Sequence, residues 1–185
     1  MIYPIYLYGS SVLRKPSEEV SHDYPELQQL INDMFDTMAS ADGVGLAAPQ
    51  IGKSLRLFVI DLTPYEDDFE PDFKMKHVFI NPDIYGYSSD LESYLEGCLS
   101  VPGINEDVMR PINIRIRYYD ENWKEHDEEF DGMLARVIQH EYDHVEGKIF
   151  VDHLTPLRKT LLKSKLASMM KGKSTAIYRC TTDLK

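Results

Sequence analysis

Near the C-terminal end of the chain stands QHEYDH, which sets His140 and His144 four residues apart with Glu141 between them. Two imidazoles at i and i+4 of a helix can hold one metal ion, and a glutamate beside the first can act as a base. Two protein ligands do not complete a site, so another part of the chain must supply a third. Downstream, one metallopeptidase pattern requires a histidine where Phe150 stands. Another requires a glutamate, and none occurs after Glu146. Asp152 and His153 remain as downstream candidates. Upstream, Cys98 lies in YLEGCLSVPG, a turn-like segment between Gly97 and Pro102. Alone it would read as a small buried apolar residue. Beside an unfinished two-histidine site its thiolate is a sensible third ligand. Such a donor set suits zinc or iron better than magnesium or calcium. A fourth position left to water would make the site catalytic rather than structural. A further segment, DGVGLAAPQIG, offers close backbone approach at Gly43 and Gly45 and an amide donor at Gln50. It contains no phosphate-binding glycine pattern, and a glycine-rich helix cap is its plain alternative.

The histidine motif falls in DGMLARVIQHEYDHVEG, which reads as a helix ending at Gly147. At about 100° per residue, His140 and His144 lie about 40° apart. They share an arc with Met133, Leu134, Val137, Ile138, Glu141 and Val145, while Arg136, Gln139, Asp143 and Glu146 fall on the other side. Burying two histidines and a glutamate without partners is costly. A bound cation resolves the conflict; hydrogen-bonded core histidines are the alternative. HDYPELQQLINDMFDTMASADG predicts a second helix with an apolar stripe of Leu27, Leu30, Ile31, Met34, Phe35 and Met38. There Asp23 and Glu26 are expected as a capping box, Pro25 in the first turn and Gly43 as the stop. SLRLFVID and INIRIRYYD alternate as half-buried strands do, and KHVFINP predicts a shorter strand stopped at Pro82. LTPYEDDFEPDFKMK predicts a surface loop, and a last helix is expected from Thr155-Pro156 to about Gly172. Strands in the first two-thirds with helices at both ends predict an α+β domain.

The 185 residues suit one compact domain, divided here into a catalytic part over 1–153 and a basic helix and tail over 154–185. A net charge of -11 argues against general nucleic-acid binding. From Leu154 to Lys173, however, Arg158, Lys159, Lys163, Lys165, Lys171 and Lys173 stand without an acidic residue among them. No apolar run is long enough to span a bilayer. The start, MIYPIYLYGSSVLRKPSEEV, lacks the features of a signal peptide. Cys98 and Cys180 are too few for a disulfide scaffold, so an intracellular setting is expected.

Three segments in order, GVGLAAPQIG, EGCLSVPG and QHEYDH, resemble the signature motifs of the peptide deformylases. Those motifs are G-Φ-G-L-A-A-x-Q (Φ apolar), E-G-C-L-S and Q-H-E-x-D-H. FINPDI and VLRKPSEEV are similar to the flanking pattern, and the likeness covers roughly residues 1 to 170. The resemblance implies an α+β fold of antiparallel sheets packed around a central metal-bearing helix, with a C-terminal helix. It implies a metal held by Cys98, His140 and His144, with iron(II) as cofactor and zinc or nickel able to replace it. By the same resemblance Glu141 is the general acid/base, and Gln50 with the Leu99 backbone N–H stabilises the oxyanion. Gly45 and Gly97 contact substrate backbone, and Val44, Tyr94, Met133 and Val137 line a pocket for methionine. The implied reaction removes formate from the N-formylmethionine end of newly made polypeptides. A cytoplasmic monomer that binds neither membrane nor DNA is expected.

The resemblance also implies that the C-terminal helix touches the ribosome. Lys159, Lys163, Lys171 and Lys173 are then candidates for salt-sensitive contacts to RNA. Deletion after Pro156 is expected to weaken that contact and spare turnover of a short peptide. Two other readings stand beside this one. A metallopeptidase cutting internal bonds would need the missing downstream ligand. A binding module with a structural metal would normally offer four protein ligands.

Overall fold

The computed structural model describes residues 1–183; Leu184 and Lys185, the end of the expected 154–185 segment, lie outside the described residues. In chain order the elements are β1 (Ile5–Tyr6), α1 (Leu27–Ser40), β2 (Gly45–Ala47), β3 (Leu57–Asp61), β4 (Lys76–Tyr87) and β5 (Leu91–Gly97). They continue with β6 (Asn105–Pro111), β7 (Ile114–Tyr119), β8 (Glu125–Phe130), α2 (Gly132–Val145), α3 (Pro156–Met170) and β9 (Cys180–Thr181). Five strands form an antiparallel sheet in the order β2-β3-β4-β7-β8, and β5 pairs with β6 in a separate antiparallel hairpin. This is the expected α+β arrangement, to which β1 and β9 add a short parallel pair.

The five-stranded sheet lies between two helices, and β3 shows why. Successive side chains of a strand point to opposite faces. Leu57 and Val59 join Leu30, Ile31, Met34 and Met38 of α1. Phe58 and Ile60 join Leu134, Ala135 and Ile138 of α2. SLRLFVID is therefore buried on both faces at its centre rather than half-buried. INIRIRYYD does alternate, with Ile114, Ile116 and Tyr118 inward and Arg115 and Arg117 exposed.

Two expected boundaries differ. Pro82 does not stop its strand, because β4 runs on to Tyr87 through an irregularity. Asn81 there is left-handed (φ 51°), and the register against β7 shifts between Ile80 and Asp83. A bulge tolerates a residue that cannot donate to the ladder. The Asn81 side chain secures it, accepting from Val20 N at 2.7 Å and donating to Val20 O at 3.0 Å. α1 lacks the expected capping box. Glu26 is left-handed (φ 55°) and makes no side-chain cap, while the Asp23 N–H is held in a turn by Ser21 Oγ at 3.3 Å. At its other end the left-handed residue is Asp42 (φ 58°), and the Gly43 N–H closes on Met38 O at 3.0 Å.

α3 begins where expected, with Thr155 Oγ1 accepting from Arg158 N at 3.4 Å. Its Leu162, Leu166 and Met169 pack against Leu13, Val101, Ile104 and Phe150. Arg158 reaches Glu106 of β6 at 2.6 and 2.8 Å. Deletion after Pro156 would uncover that apolar cluster, so it would not test the basic charges alone.

Candidate active site

α2 carries the histidine motif through the centre of the molecule. Gly147 (φ 75°) turns the chain just beyond it, where a Cβ would come within 2.9 Å of Lys15 C and 3.0 Å of Arg14 C. Glycine therefore both ends the helix and admits a neighbouring backbone. The helix is not one-sided as its wheel predicts: Arg136, Gln139 and Asp143 are buried. The β5–β6 hairpin and its exit supply their partners. Arg136 donates to Glu96 Oε1 at 3.1 Å and Val108 O at 2.9 Å, and Gln139 Nε2 donates to Pro111 O at 3.0 Å. Asp143 accepts from Arg110 at 2.8 Å. A wheel sorts residues by polarity and so places ion-paired core residues outside.

Cys98 follows β5 directly, in a turn closed by Val101 N donating to Cys98 O at 2.9 Å. That turn brings it to α2. Donor atoms of Cys98, His140 and His144 all lie within 4.8 Å of one another, with Cys98 Sγ 3.3 Å from His144 Nε2. The fallback candidates are engaged elsewhere: Asp152 with Arg14 at 2.6 Å, and His153 with Asp143 at 2.7 Å.

The surroundings set the chemistry of these donors. His140 Nδ1 lies 2.9 Å from Glu96 Oε2, which leaves its Nε2 for the Cys98 side. Glu96 also accepts from Arg110 Nε at 2.6 Å and Nη2 at 3.0 Å. Burial opposes ionisation of Glu96, but its hydrogen bonds from His140 and Arg110 outweigh that and hold the carboxyl well below the usual range. Burial likewise opposes charge on His140, yet hydrogen bonds to Cys98 and Glu96 raise its pKa well above the ordinary value. A cation would compete with that proton for the same lone pair, so binding would release it. Burial, reinforced by His140, pushes His144 down to about 3 and keeps a neutral ligand lone pair. Two buried polar atoms here, Glu141 Oε2 and His144 Nδ1, have no hydrogen-bond partner among the described residues. Buried polar atoms are normally satisfied. Two nitrogens and a sulfur, converging beside a partnerless buried carboxylate oxygen, fit a metal ion with one open position.

Glu141 is 3% exposed, and burial pushes its carboxyl up to about 7, with His140 pulling the other way. A group poised there can both take and return a proton near neutral pH. Gly45 of β2 is what makes room for it: a Cβ would lie 2.3 Å from Glu141 Oε1 and 2.8 Å from Cδ. Gly45→Ala is therefore expected to displace the carboxylate. Turnover should fall roughly tenfold with metal content unchanged; kinetics and metal analysis on one preparation check this, and unaltered turnover would refute it.

Gln50 is oriented by its own turn. Its Oε1 accepts from Ala47 N at 2.8 Å, which presents Nε2 to Cys98 Sγ at 3.6 Å and Ser100 Oγ at 3.3 Å. Gln50, Leu99, Glu141, Cys98 and His140 border one cavity of about 600 Å³. Val44, Gly45, Tyr94, Gly97, Met133 and Val137 border it too, with Tyr94 half in solvent at the rim. His144 is 1% exposed and reaches the group through Cys98. Sequence reasoning missed Glu96 and Arg110, although Glu96 stands inside the EGCLS segment.

Comparison with known proteins bears on this geometry. The sequence model of the family described as Polypeptide deformylase matches residues 2–160. A peptide deformylase of Cytophaga hutchinsonii is 51% identical over 185 residues, 100% of both chains. The structure of a peptide deformylase from Legionella pneumophila aligns with a TM-score of 0.80 at 42% identity, over 92% of this chain and 96% of that one. One from Synechococcus elongatus, solved in complex with actinonin, aligns with a TM-score of 0.78 at 41% identity, over 97% and 92%.

Proposed function

The chain belongs to the peptide deformylase family, and from that premise we propose how its own residues carry out the removal of N-formyl groups from new polypeptides. The observation that supports the assignment most is the buried, partnerless Glu141 Oε2 beside converging Cys98, His140 and His144 donors. Cys98, His140 and His144 would hold a metal, iron(II) with zinc or nickel as substitutes, which when bound would supply Lewis acidity to activate a water near neutral pH. Glu141 takes the proton from the attacking water as its oxygen bonds to the formyl carbon. Gln50 Nε2 and the Leu99 N–H donate to the formyl oxygen as negative charge develops there, each worth about 3 kcal/mol in comparable sites. Glu141 then gives its proton to the amine nitrogen as the C–N bond breaks, leaving formate and a free N-terminus. Gly45 and Gly97 border the cavity and contact the peptide backbone, and Val44, Met133 and Val137, with Tyr94 at the rim, receive the methionine side chain.

Formate release from a formyl-Met peptide, with casein left intact, tests this reading. Cleavage of casein would favour a metallopeptidase, and metal binding without either activity would favour a structural site.

The setting is read as the cytoplasm and the working form as a monomer; among the described residues no helix is long and apolar enough to cross a membrane. We assign residues 1–153 to the catalytic part and the remainder to a helix and tail stitched onto it. The outward side of α3 is the proposed ribosome contact. Lys163 and Lys171 are exposed there, whereas Lys159 Nζ already donates to Asp152 O at 2.7 Å. Reversing both charges, Lys163→Glu with Lys171→Glu, is expected to weaken low-salt co-sedimentation with ribosomes several-fold and spare short-peptide turnover. Equal co-sedimentation would remove the helix from the account.

A further inference from the structure

The tail after α3 has no part in the chemistry above, yet it returns to the site. Tyr178 borders the same cavity as Cys98 and Glu141. Beyond it the tail is held by the register Ile5↔Cys180 and Tyr6↔Thr181. Asp183 Oδ2 adds bonds from Ser11 N at 2.7 Å and Ser11 Oγ at 2.6 Å. Next to this anchored stretch, the Tyr178 hydroxyl donates to the Leu99 carbonyl at 2.7 Å.

That contact completes a pattern. Cys98 O accepts from Val101 N at 2.9 Å, and Ser100 O accepts from Tyr8 N at 2.8 Å. Both donors are backbone groups. Leu99 O, between them, is held by a side chain from the far end of the sequence. The Leu99 N–H, in contrast, makes no hydrogen bond to the described residues and is left for a substrate oxygen. A donor stabilises developing charge to the extent that its direction is fixed before the reaction.

We propose that Tyr178 is a positioning residue for the reaction: by holding the Leu99 carbonyl it fixes the residue whose N–H is offered to the oxyanion. This rests on the deformylase reading of the site. Tyr178 acts through Leu99 and not on substrate. Its ring packs in the same apolar cluster as the Leu99 side chain, so the ring supplies packing and the hydroxyl supplies direction.

Tyr178→Phe separates the two, keeping the ring and removing one donor. With a formyl-Met peptide, kcat is expected to fall about tenfold, the size of one lost hydrogen bond. KM and metal content should hold, and the melting temperature should fall by no more than about 2–4 °C, leaving the variant folded at the assay temperature. Backbone hydrogen exchange, read by mass spectrometry, should accelerate in peptides covering residues 98–101 and not elsewhere. Unchanged kcat, unchanged exchange in that stretch, or a loss accounted for by metal or melting temperature would each overturn the proposal. The unaltered, metal-loaded chain is assayed alongside. If it releases no formate, the deformylase reading fails; if it is active and the variant equally so, only the role of Tyr178 fails.

Discussion

Replacing Glu141 with glutamine is expected to leave the metal bound and to lower turnover of a formylated peptide by at least ~100-fold. The side chain is nearly isosteric, so the space kept by Gly45 is still filled and the helix face is unchanged. What disappears is a carboxyl that burial holds at about 7. Glutamine can accept a hydrogen bond from the attacking water but cannot take its proton and deliver it to the leaving amine. Formate release, read with metal content on the same sample, checks the assignment. Near-normal turnover at full metal occupancy would show that the proton passes elsewhere. A loss of metal in step with activity would show that Glu141 acts on the site's assembly.

Cys98→Ala is expected to fail differently, through the metal. Removing a partner of a ligand commonly costs 10- to 100-fold in affinity, so removing the ligand itself should cost at least ~100-fold. His140 and His144 would remain in place on α2, with Glu96 still orienting His140. Two imidazoles alone hold a metal poorly. Dialysis against a chelator should strip the variant under conditions that leave the unaltered chain loaded. The cobalt-substituted variant should lose the absorption of a sulfur ligand. Unchanged stoichiometry with an intact cobalt spectrum would exclude Cys98 from the ligand set.

The clustering of Cys98, His140 and His144 was legible because their types are rare in an apolar arc and because two histidines alone leave a site incomplete. The ion cluster behind them was not. In β5 the one buried residue is Glu96, and on β6 the buried positions are Glu106, Val108 and Arg110. Hydropathy reads a hairpin of this kind as solvated, since its inward face is charged and is paid for by pairing rather than by apolar contact. EHDEEF gave no strand signal for a different reason: β8 is an edge strand with its acidic residues exposed, although it runs in register along β7 from Ile114↔Phe130 to Tyr119↔Glu125. Pro82 misled in the opposite direction, because a bulge formed by Asn81 carries β4 past it. The tail, KSTAIYRCTT, has neither helical nor alternating periodicity, so its return to β1 and to Leu99 depends on tertiary partners that no local pattern encodes.

The pairing of β1 with β9 has a consequence for the order of assembly. It joins residues as far apart as Ile5 and Cys180, and closing so long a loop of flexible chain costs more entropy than closing a hairpin. Hairpins between adjacent strands close far shorter loops and so carry a smaller entropic cost. In chain order β1 precedes every other element, whereas its partner β9 follows α3. The helix that carries His140 and His144 is therefore complete in the chain before the strand beside Tyr178 exists to be fastened to β1.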